Sequence, residues 1–225
     1  MATRLTEAEQ ATVTRAVEAA EQTTSGEIVT VLADRSDGYS DVVLVWAVTI
    51  AFTAMSVFAA LPQPFLSGWD QLFGLWGHQW SAGQIATMTI ALGLVAFTLA
   101  WLLLSLDSLR FALIPSPVKT ARVHEAAVRH FKVGAERRTH GRTGVLLYIS
   151  MREHRAEIFA DQSIAAKVPA EAWGDAMANM LIEIKAGRIG DAFAAGVRDV
   201  AAILAEHFPR AADDTNELPD RLIQL

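Results

Sequence analysis

Near the start of the chain, Val13, Ala16, Val17 and Ala20 recur at the 3.6-residue spacing of one helix face. Thr6 followed by Glu9 makes a capping box ahead of that face, and Gly26 is placed to end the helix. The next run, Glu27–Ala33 (EIVTVLA), has the β-branched content of a strand. Polar positions then disappear. Residues 42–61 (VVLVWAVTIAFTAMSVFAAL) and 85–106 (IATMTIALGLVAFTLAWLLLSL) carry no charged side chain. At the α-helical rise they reach roughly 30 and 33 Å, the thickness of a bilayer's hydrocarbon core, and they predict two membrane spans. A mostly polar stretch precedes the first span, so a cleavable signal peptide is not expected.

After the spans the amphipathic pattern returns. Ile114–Pro115–Ser116–Pro117 breaks any continuation of the second span, and residues 119–139 read as a helix with a strongly basic surface. Val145–Ser150 (VLLYIS) and Arg155–Ala160 (RAEIFA), joined by a turn at 151–154, predict a β-hairpin. Pro169 opens a helix with the stripe Trp173, Met177, Met180, Leu181 and Ile184. Gly187 and Gly190 interrupt it, and Phe193, Val197, Val200, Leu204 and Phe208 form a second stripe. Residues 1–41 supply only a helix and a strand, too little for a core of their own. The plan is therefore an α/β domain, helix-strand and then helix-strand-strand-helix-helix, interrupted by a two-helix transmembrane hairpin. Its parts are 1–41, the hairpin 42–106 with outer loop 62–84, the remainder 107–208, and an extended acidic tail 209–225.

Composition narrows the class. Hydrophobic residues make up 52% of the 225 and charged residues 20%, against about 25% charged in a typical soluble domain; a disordered chain is excluded. With no cysteine there is no disulfide framework, thiolate zinc site, iron–sulfur cluster or cysteine nucleophile. The loop 62–84 has no Lys or Arg, whereas Arg35 precedes the first span and Arg110, Lys119, Arg122, Arg129 and Lys132 follow the second. This places both termini in the cytoplasm and the protein in the cell's inner (plasma) membrane as a multi-pass protein. Phe65, Trp69, Phe73, Trp76 and Trp80 in the outer loop are spaced like a short interfacial helix.

Residues 110–155 hold ten Lys or Arg against three acids, a net of +7, while 1–41 and 156–225 carry −5 and −6. Arg122, Arg129, Lys132, Arg137 and Arg138 are the candidate surface for anionic lipid headgroups, at about 1 kcal/mol for each well-placed cation. No nucleic-acid recognition motif accompanies the charge, so lipids and a membrane protein are the expected partners. Small residues Ala91 and Gly93 in the second span allow close helix packing and leave a homo-oligomer open. Spans without an ionisable residue offer a transporter no path.

The histidines, His78, His124, His130, His140, His154 and His207, form no HExxH or i,i+4 pair. Dinucleotide, Walker and nucleophile-elbow motifs are absent. Asp161 directly follows a strand; Asp175, Asp191 and Asp199 lie on or near the last two helices. A strand-end carboxylate can hold a divalent ion or cap the next helix. Asp161 and Asp175 are the catalytic candidates, and Asp161 the metal candidate. No cofactor is identified.

The run TGVLLYIS–RAEIFADQSIAAKVPAEAW, then KAGRIGDAFAAGV and LAEHFP, resembles the TPM domain family. That family includes thylakoid-lumen phosphatase, photosystem II repair and acetylcholine-receptor-modulator types, and this chain is most similar to its bacterial membrane branch. The opening LTEAEQATVTRAVEAAEQTTSGEIVTV resembles the start of the same domain, so the likeness covers residues 5–34 and about 119–208. It implies a small α/β fold and a weak acid phosphatase linked to acidic residues at an Asp-Asn-Gly turn. Here that turn reads Arg142–Thr143–Gly144; a cation in an acid's place repels the ion it would have to hold. Two readings result: a membrane-anchored interaction or assembly module, or a weak metal-dependent phosphohydrolase, with a divalent cation only in the second.

Overall fold

The computed structural model describes residues 4–74, 79–134, 143–211, 218 and 220–225. They form two compact units: Met1–Asp37 with Pro115–Leu225, and Gly38–Ile114.

The first unit is built on a four-stranded sheet of β1 (Glu27–Ala33), β2 (Gly144–Ser150), β3 (Arg155–Ala160) and β4 (Ile223–Gln224), in the order β3-β2-β1-β4. β1 lies parallel to β2, from Glu27 against Gly144 to Ala33 against Ser150, and β2 and β3 form the expected antiparallel hairpin. Every residue of β1 and β2 is buried, as in parallel strands covered on both faces. Ile28, Leu32, Val145, Leu147 and Ile149 pack on one side against α1 (Glu7–Glu21), α8 (Ala170–Lys185) and α9 (Ile189–His207). Val29, Val31, Leu146 and Tyr148 pack on the other against Val123, Ala126, Ala127 and Phe131 of α6 (Ser116–Gly134). The unit is thus a three-layer α/β/α sandwich.

Local signals explain its helices. Thr6 and Glu9 complete the capping box, with the Thr6 N–H donating to Glu9 Oε2 at 2.8 Å. These bonds from Thr6, backbone first, hold the Glu9 carboxyl below its ordinary pKa. α1 stops at Glu21, ahead of Gly26. Gly26 instead opens β1, where a Cβ would come within 2.8 Å of Leu204 Cδ1. Gly196 lets α9 lie close to α8 and the sheet: a Cβ there would be 2.4 Å from Met180 Sδ and 2.8 Å from Leu147 Cδ2.

The end of the chain corrects the sequence reading of 209–225 as a tail. Leu218 and Leu222 are buried, and Ile223–Gln224 pair in parallel with Val31–Leu32. The Leu225 N–H donates to Leu32 O at 2.9 Å, and the Asp34 N–H donates to Leu225 O at 3.1 Å. The acidic stretch hides a strand whose apolar residues, in RLIQL, follow the charges.

The second unit holds α2 (Ser40–Ala60), α3 (Pro62–Phe73), α4 (Ala82–Leu104) and α5 (Asp107–Leu113). α2 and α4 are long and apolar enough to cross a membrane. They pack together through Val43, Ala47, Ala51 and Phe58 on one helix and Gly93, Ala100 and Leu104 on the other. Most of their remaining apolar surface is open, including Val45, Phe52, Leu94 and Leu102. A core helix of a soluble protein would bury that surface. α3 is a helix in the loop 62–84, as foreseen, and carries Phe65, Trp69 and Phe73 of the aromatic run; Trp80 follows it and Trp76 lies outside the described residues. α5 was not foreseen and lies with this unit, not with the sandwich. Arg110 accounts for its position: its guanidinium donates to Leu104 O, Ser105 O and Gly38 O, meeting carbonyls that a helix end leaves open.

Candidate functional site

Asp161 leaves β3 and enters α7 (Gln162–Ala165). Its side chain accepts the Gln162 N–H at 2.7 Å and its own N–H donates to Gly144 O at 3.0 Å. This is an N-cap that also ties β3 to the start of β2. Its second oxygen, Oδ2, is buried with no hydrogen-bond partner among the described residues. Asp175 sits exposed on α8. No group of three or more His, Asp or Glu able to hold a metal ion occurs among the described residues. Asp161→Ala is expected to cost about 1 kcal/mol, the value of a cap. Asp161→Asn, which keeps an oxygen acceptor, should cost under ~0.5 kcal/mol. Urea unfolding of the two variants checks this.

The basic candidates divide. Arg122 is already met by Asp37 at 3.2 Å and Glu125 at 3.3 Å. Arg129 and Lys132 are exposed on α6. Arg137 and Arg138, with Arg142, His78 and His140, lie outside the described residues.

Beyond the carboxyl ends of β1 and β2 lies a polar cluster the sequence reading did not single out. Glu153, 2% exposed, accepts the Ser36 N–H at 2.8 Å and the Ser150 hydroxyl. Ser36 Oγ and the Tyr148 hydroxyl are 3.0 Å apart. His130 stacks on Tyr148 with ring centroids 5.9 Å apart, and burial, then the Arg129 charge, lowers its pKa. Glu153 thereby fixes the chain as it leaves β1 and the turn after β2. This is an anchoring role.

The amino ends carry the more reactive arrangement. Glu18, Glu21, Gln22, Thr24, Glu27, Arg210 and Asp220 line a cavity of about 340 Å³. Glu27 is the Cα partner of Gly144, the residue kept from the Asp-Asn-Gly turn. Burial first, then the charges of Glu27 and Asp220, push the Glu21 carboxyl up to about 8. A carboxyl held neutral near pH 7 can donate a hydrogen bond or a proton. The signal for this site was Glu27, the one charged residue of β1.

Because Glu21 binds its proton more tightly folded (about 8) than unfolded (4.5), its contribution is complete below pH 4.5. It is lost as pH rises towards 8. The full slope is ~1.4 kcal/mol per pH unit. Glu21 keeps part of its surface in water, which reduces the expected loss between pH 5 and 8 to about 2 kcal/mol. Glu21→Gln should flatten this part of a denaturation-against-pH profile; an unchanged slope would assign it elsewhere.

Comparison with known proteins fits this architecture. Residues 109–203 match the family model of the TPM domain. The fold is similar to the NMR structure of the BA42 protein from the psychrophilic bacterium Bizionia argentinensis. The TM-score is 0.52 at 18% identity, covering 99% of this chain and 97% of that one. That likeness concerns fold alone. No curated protein is significantly similar in sequence.

Proposed function

We propose that this protein is a TPM domain anchored in the inner (plasma) membrane by α2 and α4, with both termini cytoplasmic, and that it works as an interaction or assembly module. The observation that supports the module is a groove of about 550 Å³ between α1 and α9. Its lining is mostly alanine, Ala16, Ala19, Ala20, Ala194, Ala201 and Ala202, with Arg15 and Arg198 among the rest. Small residues let another backbone approach closely, and two guanidinium groups favour a partner bearing carboxylates. The basic face of α6, with Arg129 and Lys132 exposed, would meet anionic headgroups. A photoreactive amino acid at Ala19 or Ala202, with one at Glu7 as control, tests the module in cells. A discrete crosslinked membrane partner from the groove positions, lost on Arg198→Glu, is the expected result. Equal, diffuse crosslinking from all three positions would contradict it.

A second reading, a weak phosphohydrolase, draws on the acidic cavity in addition to the candidates Asp161 and Asp175. The Glu21 carboxyl is suited to protonate a leaving group; Glu18, Glu27 and Asp220 outnumber Arg210 in the lining and would repel a phosphate dianion unless a further cation accompanied it. Phosphomonoester hydrolysis by the detergent-purified protein, with and without Mg²⁺ or Ca²⁺, decides this. Turnover abolished by Glu21→Gln in a folded protein would establish it; turnover no higher than a mock preparation would remove it.

A further inference from the structure

The helices α2 and α4 touch where Gly93 faces Met55; a Cβ on Gly93 would be 2.4 Å from Met55 Sδ. Towards the end where α3 follows α2, a hollow of about 510 Å³ lies between them. It is lined by Phe58, Phe65, Trp69, Met88, Ala91 and Leu92 among others. Phe65 of α3 packs on Phe58 of α2, with ring centroids 5.6 Å apart. Trp69, Thr87 and Met88 also line a second, more polar hollow with Trp80, Ser81 and Gln84. The surface therefore passes from hydrocarbon to polar within one continuous lining.

Charge at the polar end is specific. From residue 42 to residue 106, Asp70 is the one Asp, Glu, Lys or Arg. Its oxygens accept the Trp80 indole N–H at 3.2 and 3.3 Å, so the carboxylate is placed beside the polar hollow.

We propose that the apolar hollow holds an acyl chain of a membrane phospholipid whose ammonium headgroup lies at Asp70. The inference rests on the membrane reading above. Inside a bilayer an extended peptide could not satisfy its backbone polar groups, whereas an acyl chain has none. The lining is the apolar concavity that ligand sites share. A lone carboxylate with no cation in the loop attracts a headgroup carrying an ammonium and repels a net anionic one.

The test uses the full chain in phosphatidylethanolamine/phosphatidylglycerol vesicles, with a diazirine on the acyl chain of either lipid in turn. Crosslinks are mapped by peptide mass spectrometry. The ethanolamine probe is expected to label Met88, Ala91 and Leu92 at least five-fold more than the glycerol probe does. Ala91→Trp, which fills the hollow, should reduce that labelling at least five-fold. Labelling at Phe52 and Leu102, which face outward, should not change. Asp70→Asn, nearly isosteric and so safe for folding, should make the two probes equal. Equal labelling by both probes in the unaltered protein overturns the proposal, as does an Ala91→Trp variant labelled as before. Labelling of Phe52 and Leu102 without the hollow overturns the lipid site alone; no labelling of the hairpin at all overturns the membrane reading and the site with it.

Discussion

Removing residues 218–225 is expected to destabilise the sandwich unit by at least about 4 kcal/mol. Two buried leucines, Leu218 and Leu222, leave the core with the segment, and each is worth about 2–4 kcal/mol by the scale of large-to-small substitutions. The hydrogen bonds of Leu225 to Leu32 and Asp34 go with them, as does that from the Leu5 N–H to the Gln224 side chain at 3.0 Å. A loss of this size is a large share of a domain's total of about 5–15 kcal/mol. Leu222→Ala alone should cost about 2–4 kcal/mol. Arg221→Ala, on an exposed side chain, should stay within ~0.5 kcal/mol. Chemical denaturation followed by circular dichroism measures all three. A truncated unit as stable as the full one would mean that β4 does not belong to the sheet.

Gly196→Val is expected to cost about 3 kcal/mol, the upper part of the range for overpacking. Three carbons would enter space held by Met180 and Leu147, both fully buried, at a point where even one comes within 2.8 Å of Leu147 Cδ2. Met180 is unbranched and can swing away; Leu147, on a central strand, cannot. Met180→Ala in the same chain should recover part of the loss, so that the double variant is less impaired than the two single costs added together. Strict additivity would show that the contact is not what limits residue 196.

How far the sequence disclosed the molecule follows from where its signals were local. The capping box at Thr6 and Glu9, the hairpin of VLLYIS and RAEIFA, and the two uncharged runs each depend on a few neighbouring residues, and each stands where expected. Of the stripe Phe193, Val197, Val200, Leu204 and Phe208, the first four are fully buried along α9, and Phe208 is its half-buried C-cap. The stripe on α8 was partly misjudged: Met180 is buried, but Leu181 is exposed and Ala176 takes the inner position. The parallel pairing of β1 with β2, across the whole hairpin, required a tertiary arrangement that periodicity does not encode. Asp161 was legible as a strand-end acid, and its capping role was one of the two readings that position allows. The cavity around Glu21 joins residues almost two hundred positions apart, and no motif spacing connects Glu21 with Asp220. Its formation depends on β4 and the chain leading to it, which the acidic composition concealed.

In the proposed function the hairpin crosses a membrane and returns both ends of the sandwich unit to the cytoplasm. The absence of cysteine makes this directly measurable. Single cysteines are placed at Ser67, exposed on α3, and at Thr120, exposed on α6. Intact cells are then treated with a membrane-impermeant maleimide. The account predicts labelling of the Ser67→Cys protein in intact cells, labelling of the Thr120→Cys protein only after lysis, and retention of both in the membrane after alkaline extraction. Labelling at Thr120→Cys but not Ser67→Cys in intact cells, or release of the protein by alkali, would contradict it.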